Sequence, residues 1–81
     1  MLVSVVYFAA ARDLAALGSE KLKLPEGTRV GDLLEEVMRL HPELRKLEPS
    51  IRLSVNFEVA GKRDTLRNGD EVGVLPPVAG G

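Results

Sequence analysis

Apolar and polar positions change their rhythm several times along the chain, and each change predicts an element. Leu2 to Phe8 is almost continuously apolar and rich in β-branched and aromatic residues, which predicts a central strand. Ala9 to Leu17 switches to strong helix formers, with Gly18 placed to cap the C-terminus. Glu20 to Leu24 alternates polar and apolar, the pattern of a strand with one wet face. Pro25-Glu26-Gly27 predicts a turn. Beyond it, Val30, Leu33, Leu34, Val37 and Leu40 form a stripe of period 3.6, the mark of an amphipathic helix. Thr28 is placed to cap that helix, Asp32 falls near its first turn, and Pro42 ends it. Glu43 to Ser50 reads as a polar connector holding one irregular turn. Arg52 to Asn56 alternates as a strand, Val59-Ala60 predicts a short further strand, and Val72 to Leu75 a last one after the Asn68-Gly69 turn.

One amphipathic helix has to bury its stripe against one face of a small sheet. The simplest assembly is an α+β, β-grasp (ubiquitin-like) fold. A mixed sheet of four or five strands wraps one main helix, with a short helix after the first strand. The first and last strands lie side by side at its centre. Eighty-one residues suffice for one such domain, expected over residues 1–75, with 76–81 as an extended tail. A chain this small holds one core but hardly a deep catalytic pocket as well.

Charge and composition narrow the function. Eleven Lys and Arg against twelve Asp and Glu leave a net charge of −1, so no basic excess drives binding to nucleic acid or acidic membranes. The chain has no cysteine, which excludes thiolate metal sites and a cysteine nucleophile. His41 is the single histidine, so a metal site is not expected. Leu2 to Ala11 is too short to span a bilayer and lacks a basic start, which points to a cytoplasmic protein. Tyr7 and Ser4 have no companion base for nucleophilic work, and no glycine-rich phosphate loop is present.

The last residues carry the strongest chemical signal. Pro76 and Pro77 lack backbone N–H groups and cannot continue a central strand. The six residues from Pro76 reach roughly 20 Å when extended. Gly80-Gly81 lacks Cβ atoms, so the tip can thread a narrow channel and present its carboxylate to another protein's active site. Leu53, Phe57 and Leu75 either line an apolar patch beside this tail or serve the core. Arg12 is either a solvated helix charge or a tie to the tail's loops. Asp70 and Glu71 suit turn chemistry or an acidic contact.

Four segments together resemble a known family: Phe8-Ala9-Ala10-Ala11-Arg12, Val55-Asn56, Asn68-Gly69-Asp70-Glu71-Val72 and Pro76-Pro77-Val78-Ala79-Gly80-Gly81. They are similar to the small subunits of molybdopterin synthase, which are ubiquitin-like sulfur carriers. The resemblance implies that Gly81 is the reacting residue. An adenylating enzyme, using ATP, converts its carboxylate to an acyl-adenylate, and a persulfide sulfur donor turns it into a thiocarboxylate. The tail of Pro76, Pro77, Val78, Ala79 and Gly80 then enters the large subunit of the synthase, where sulfur passes to cyclic pyranopterin monophosphate. The chain itself is expected to bind no cofactor and to act as co-substrate. Two alternatives remain open. One is a carrier for another pathway, such as thiamine or cysteine synthesis. The other is a ubiquitin-like modifier joined to lysines, with Lys21, Lys23, Lys46 and Lys62 as acceptors of its own.

Overall fold

The computed structural model describes residues 1–77; the expectations for Val78, Ala79, Gly80 and Gly81 lie outside the described residues. Five strands and two α-helices follow in the order β1 (Leu2–Tyr7), α1 (Ala9–Ala15), β2 (Ser19–Lys23), α2 (Val30–Leu40), β3 (Arg52–Val55), β4 (Glu58–Val59) and β5 (Glu71–Leu75). The strands form one mixed sheet in the order β2-β1-β5-β3-β4. β1 and β5 run parallel, with Val5 opposite Val72 and Tyr7 opposite Val74. All other pairs are antiparallel. This is the β-grasp arrangement expected from the pattern.

The core follows from the two periods. Val3, Val5 and Tyr7 of β1, Val72 and Val74 of β5 and Leu53 of β3 are buried. Against them lies the stripe of α2, with Val30, Leu33, Leu34, Val37 and Met38 buried. Leu40, the last position of the expected stripe, is instead exposed. Fully burying a Leu or Val side chain contributes about 1.5–3 kcal/mol, so these two rows supply the main drive to fold.

Two local expectations are corrected. Thr28 does not cap α2; its hydroxyl donates to the Pro25 carbonyl at 2.7 Å, tightening the turn. The cap position is Arg29, whose N–H donates to Asp32 Oδ2 at 3.0 Å. Gly18 does not end α1. The helix stops earlier, at Ala16 with φ 63°, because the Gly18 carbonyl is needed by the Tyr7 N–H, 2.9 Å away, to start the β1–β2 pairing. The turn expected after α2 is present and begins one residue earlier than expected. Pro42–Leu47 is a 3₁₀ helix that buries Leu44. A single apolar side chain among polar ones has no period to reveal it.

Candidate functional site at the root of the tail

β5 lies between β1 and β3, so the chain leaves the sheet from its middle. Alternation along β5 sends Val72 and Val74 toward the helix and Gly73 and Leu75 toward the opposite, outer face. Phe8 follows directly after β1, and its N–H donates to the Val74 carbonyl at 3.2 Å. That bond holds Phe8 level with Leu75 at the tail end of the sheet.

Gly73 explains how the Phe8 ring is seated. A Cβ built there would fall 2.5 Å from Ser54 Oγ and 3.1 Å from Phe8 Cε2. Glycine inside a strand often marks such a close approach. The ring therefore lies over the bare backbone of β5 while remaining 43% exposed. Ser54 pairs with Gly73 on one side and with Val59 on the other, which puts Val59 in the same row, 74% exposed. Phe8 and Val59 are thus exposed apolar residues on the outer face, and the half-buried Leu75 lies on that face where β5 ends. In the sequence Phe8 stands out only as the start of a family-like segment and Val59 only as part of a short strand, neither as an exposed apolar residue. The signal that could have found Phe8 was a glycine in the middle of an otherwise β-branched strand.

Leu53, Phe57 and Leu75, each read as lining a patch beside the tail or serving the core, fall in three different places. Leu53 is 5% exposed and belongs to the core, because β3 turns it toward α2. Leu75 is half-buried at the tail root. Phe57 stands at the other end of the sheet: Arg52 is opposite Leu75 but Val55 is opposite Val72, and the chain turns at Asn56-Phe57 beyond that.

Asp70, Arg12 and His41 make contacts within the fold. Asp70 accepts from the Arg67 N–H at 2.7 Å and from Asn56 Nδ2 at 3.0 Å, which is turn chemistry. The Arg12 guanidinium lies over Gly18, with Cζ 3.2 Å from where a Cβ would be. His41 Nε2 and the Tyr7 hydroxyl both meet Glu20 Oε2 at 2.5 Å, and the Tyr7 and His41 rings meet edge to face at 5.5 Å. Burial, and then the bond and charge of Glu20, push the Tyr7 hydroxyl well above the usual tyrosine range. This trio ties β1 and β2 to the end of α2.

Among the described residues, no three His, Cys, Asp or Glu side chains are grouped to hold a metal. No helix among them is long and apolar enough to cross a membrane. A groove of about 210 Å³ opens between α2 and the β3–β4 hairpin, lined by Val30, Leu34, Ile51, Leu53, Ala60 and Lys62. It is smaller than the roughly 300–1,000 Å³ of small-molecule sites. Among the described residues the geometry thus offers exposed apolar residues on the outer face of the sheet, near the end of β5.

Comparison with known proteins agrees with this arrangement. The model of the ThiS family matches residues 5–81, nearly the whole chain. The chain belongs to the ThiS family. Among its relatives, a molybdopterin synthase sulfur carrier subunit of Mycobacterium tuberculosis is 35% identical over 80 residues, covering 98% of this chain and 96% of that protein. Subunit 1 of a molybdopterin converting factor from Pyrococcus furiosus superposes with a TM-score of 0.87 at 36% identity, covering 96% of this chain and 99% of that one. The small archaeal modifier protein 1 of Methanosarcina acetivorans gives 0.83 at 28% identity, covering 99% of this chain and 96% of that one. The family match includes residues 78–81, so the Gly-Gly end falls within what the family model describes.

Proposed function

We propose that this chain is a sulfur carrier of molybdenum cofactor synthesis and that Gly81 is its working residue. The observation that carries the proposal is the exit of the chain from the central strand β5 at Leu75, beside the uncovered surface of Phe8 and Val59. The names of its relatives support the same role. The domain spans residues 1–75 and the tail 76–81. A glycine carboxylate is a poor acyl donor. An adenylating partner joins it to the AMP part of ATP, releasing pyrophosphate. A persulfide sulfur then attacks the carbonyl carbon and displaces AMP. This forms a C–S bond and leaves an acyl disulfide; a thiol then cleaves the S–S bond brought by the persulfide, releasing a disulfide and leaving the Gly81 thiocarboxylate. Pro76 and Pro77 hold the start of the tail away from sheet pairing, and Val78, Ala79 and Gly80 give it the slimness to enter the large subunit. There the thiocarboxylate delivers sulfur to cyclic pyranopterin monophosphate. Acids, bases and oxyanion donors come from the partners, and a cytoplasmic location belongs to the same reading.

The test is the intact mass of the chain, with fragmentation of its C-terminal peptide, after incubation with the adenylating enzyme, ATP and a persulfide donor. Sulfur in place of one oxygen at Gly81 is the expected result. Failure to gain sulfur there ends the proposal. Fragmentation is required because sulfoxide at Met1 or Met38 adds nearly the same mass.

A second reading is favoured by the similarity to a small archaeal modifier protein. In it the activated Gly81 is joined to lysines of other proteins. Conjugates of higher mass in cell extracts, lost when Gly80 and Gly81 are removed, would support it.

A further inference from the structure

The β3–β4 hairpin closes through Asn56 and Phe57, with φ of 51° and 72°. Two-residue hairpin turns with positive φ at both central positions favour Asn-Gly. Asn56 fits that rule. Phe57 does not, because its Cβ crowds the backbone in the left-handed region and a bulky aromatic is a genuine outlier there. Burial offers no compensation, since Phe57 is 87% exposed, the most exposed large apolar residue described.

The strained turn is nonetheless firmly held. Asn56 N–H donates to the Glu71 carbonyl at 2.8 Å, Asn56 Oδ1 accepts from the Glu71 N–H at 3.0 Å, and Asn56 Nδ2 donates to Asp70 Oδ1 at 3.0 Å. The hairpin tip is therefore clamped to the start of β5, with an aromatic side chain standing in water. Strain of this kind persists where the surrounding structure enforces it, and it clusters at binding sites. Aromatic side chains are also the commonest interface anchors, with few torsions to lose on docking. Glu58 and Glu71 flank the tip, and neither takes part in an ion pair among the described residues.

We propose that Phe57 is a docking anchor for the adenylating enzyme and enters an apolar pocket bordered by Lys or Arg that face Glu58 and Glu71. The assignment rests on the sulfur-carrier reading given above. That enzyme acts first, on a plain glycine carboxylate that offers little to grip, so it must hold the folded body. An anchor at the end of the sheet opposite Leu75 grips the body and leaves the tail free to reach the reaction centre.

Phe57→Gly tests the proposal without endangering the fold, because glycine is the residue the turn prefers. The variant should melt about 3–6 °C higher, as strain is released. In the adenylation assay its KM should rise at least tenfold with kcat unchanged. Phe57→Tyr should keep the wild-type KM, and a Glu58→Lys, Glu71→Lys double variant should raise it. An unchanged KM for Phe57→Gly overturns the anchor. So does a loss confined to binding of the synthase large subunit. If the wild-type chain is not adenylated at all, the sulfur-carrier reading falls and takes the anchor with it.

Discussion

The two faces of the sheet are made from the same strands and have opposite fates. On the inner face, Val5, Tyr7, Val72 and Val74 are sealed beneath Leu33, Val37 and Met38 of α2. On the outer face, Leu2, Phe8 and Val59 remain exposed, although they are no less apolar. Neighbours in sequence are divided: Tyr7 is buried and Phe8 is not, Val74 is buried and Leu75 only partly. A chain of this length supplies one long helix, and one helix covers one face. What the fold leaves uncovered on the other face, next to the tail, is what a partner can cover.

Cutting into the inner face is the strongest way to test this contrast. Leu33→Ala should cost about 2–5 kcal/mol of unfolding free energy, read from the denaturant midpoint. Gly73→Val attacks the outer face from beneath. Its methyl groups need the space of Ser54 Oγ and the Phe8 ring, so the ring should be displaced at a cost of about 1–3 kcal/mol. Phe8→Ala should separate the two properties. Stability should fall by less than about 1.5 kcal/mol, while binding to the synthase large subunit, measured by calorimetry, weakens at least tenfold. An unfolded Phe8→Ala protein would abolish the distinction between the faces.

Tyr7→Phe removes one bond to Glu20 and should cost about 0.5–1.5 kcal/mol. It should also change the alkaline limb of stability. The folded pKa of Tyr7 is raised, so its contribution is intact below the ordinary tyrosine pKa of about 10. Above that pH the unfolded chain releases the proton and the folded chain does not, so stability is lost as pH rises. Melting curves from pH 8 to 11.5 should fall more steeply for the wild type than for Tyr7→Phe. With one tyrosine and no tryptophan, tyrosinate absorbance should appear only as the protein unfolds. The smallest effect belongs to the exposed Glu36–Arg39 pair, where Arg39→Ala should leave the melting temperature unchanged.

The elements that could be read in advance were those whose cause is local. The period-3.6 stripe of α2, the β-branched run of β1, and the Gly27 and Gly69 turns, both with φ 88°, each follow from a few adjacent residues. The caps were misjudged where a distant bond overrode a local preference. Thr28 satisfies Pro25, and Gly18 serves the Tyr7 N–H. The trio of Tyr7, Glu20 and His41 was invisible in the pattern, because it joins three elements whose proximity the chain order does not state. The choice between a patch and the core for Phe57 and Leu75 could not be made from the pattern, because it depends on which end of the sheet each occupies.

Local pattern along the chain accounts for the strands and the two α-helices, for the face that α2 buries, and for the end of β5 ahead of Pro76 and Pro77, which lack the N–H a central strand needs. These depend on side-chain periodicity and on backbone freedom, which are properties of neighbouring residues. Which apolar residues stay uncovered, and at which end of the sheet each one stands, follows from the assembled sheet alone. That depends on register: Leu75 pairs with Arg52, Val55 with Val72, and Phe57 is carried to the far end. Register is set when the whole sheet closes over α2, and no single segment contains that information.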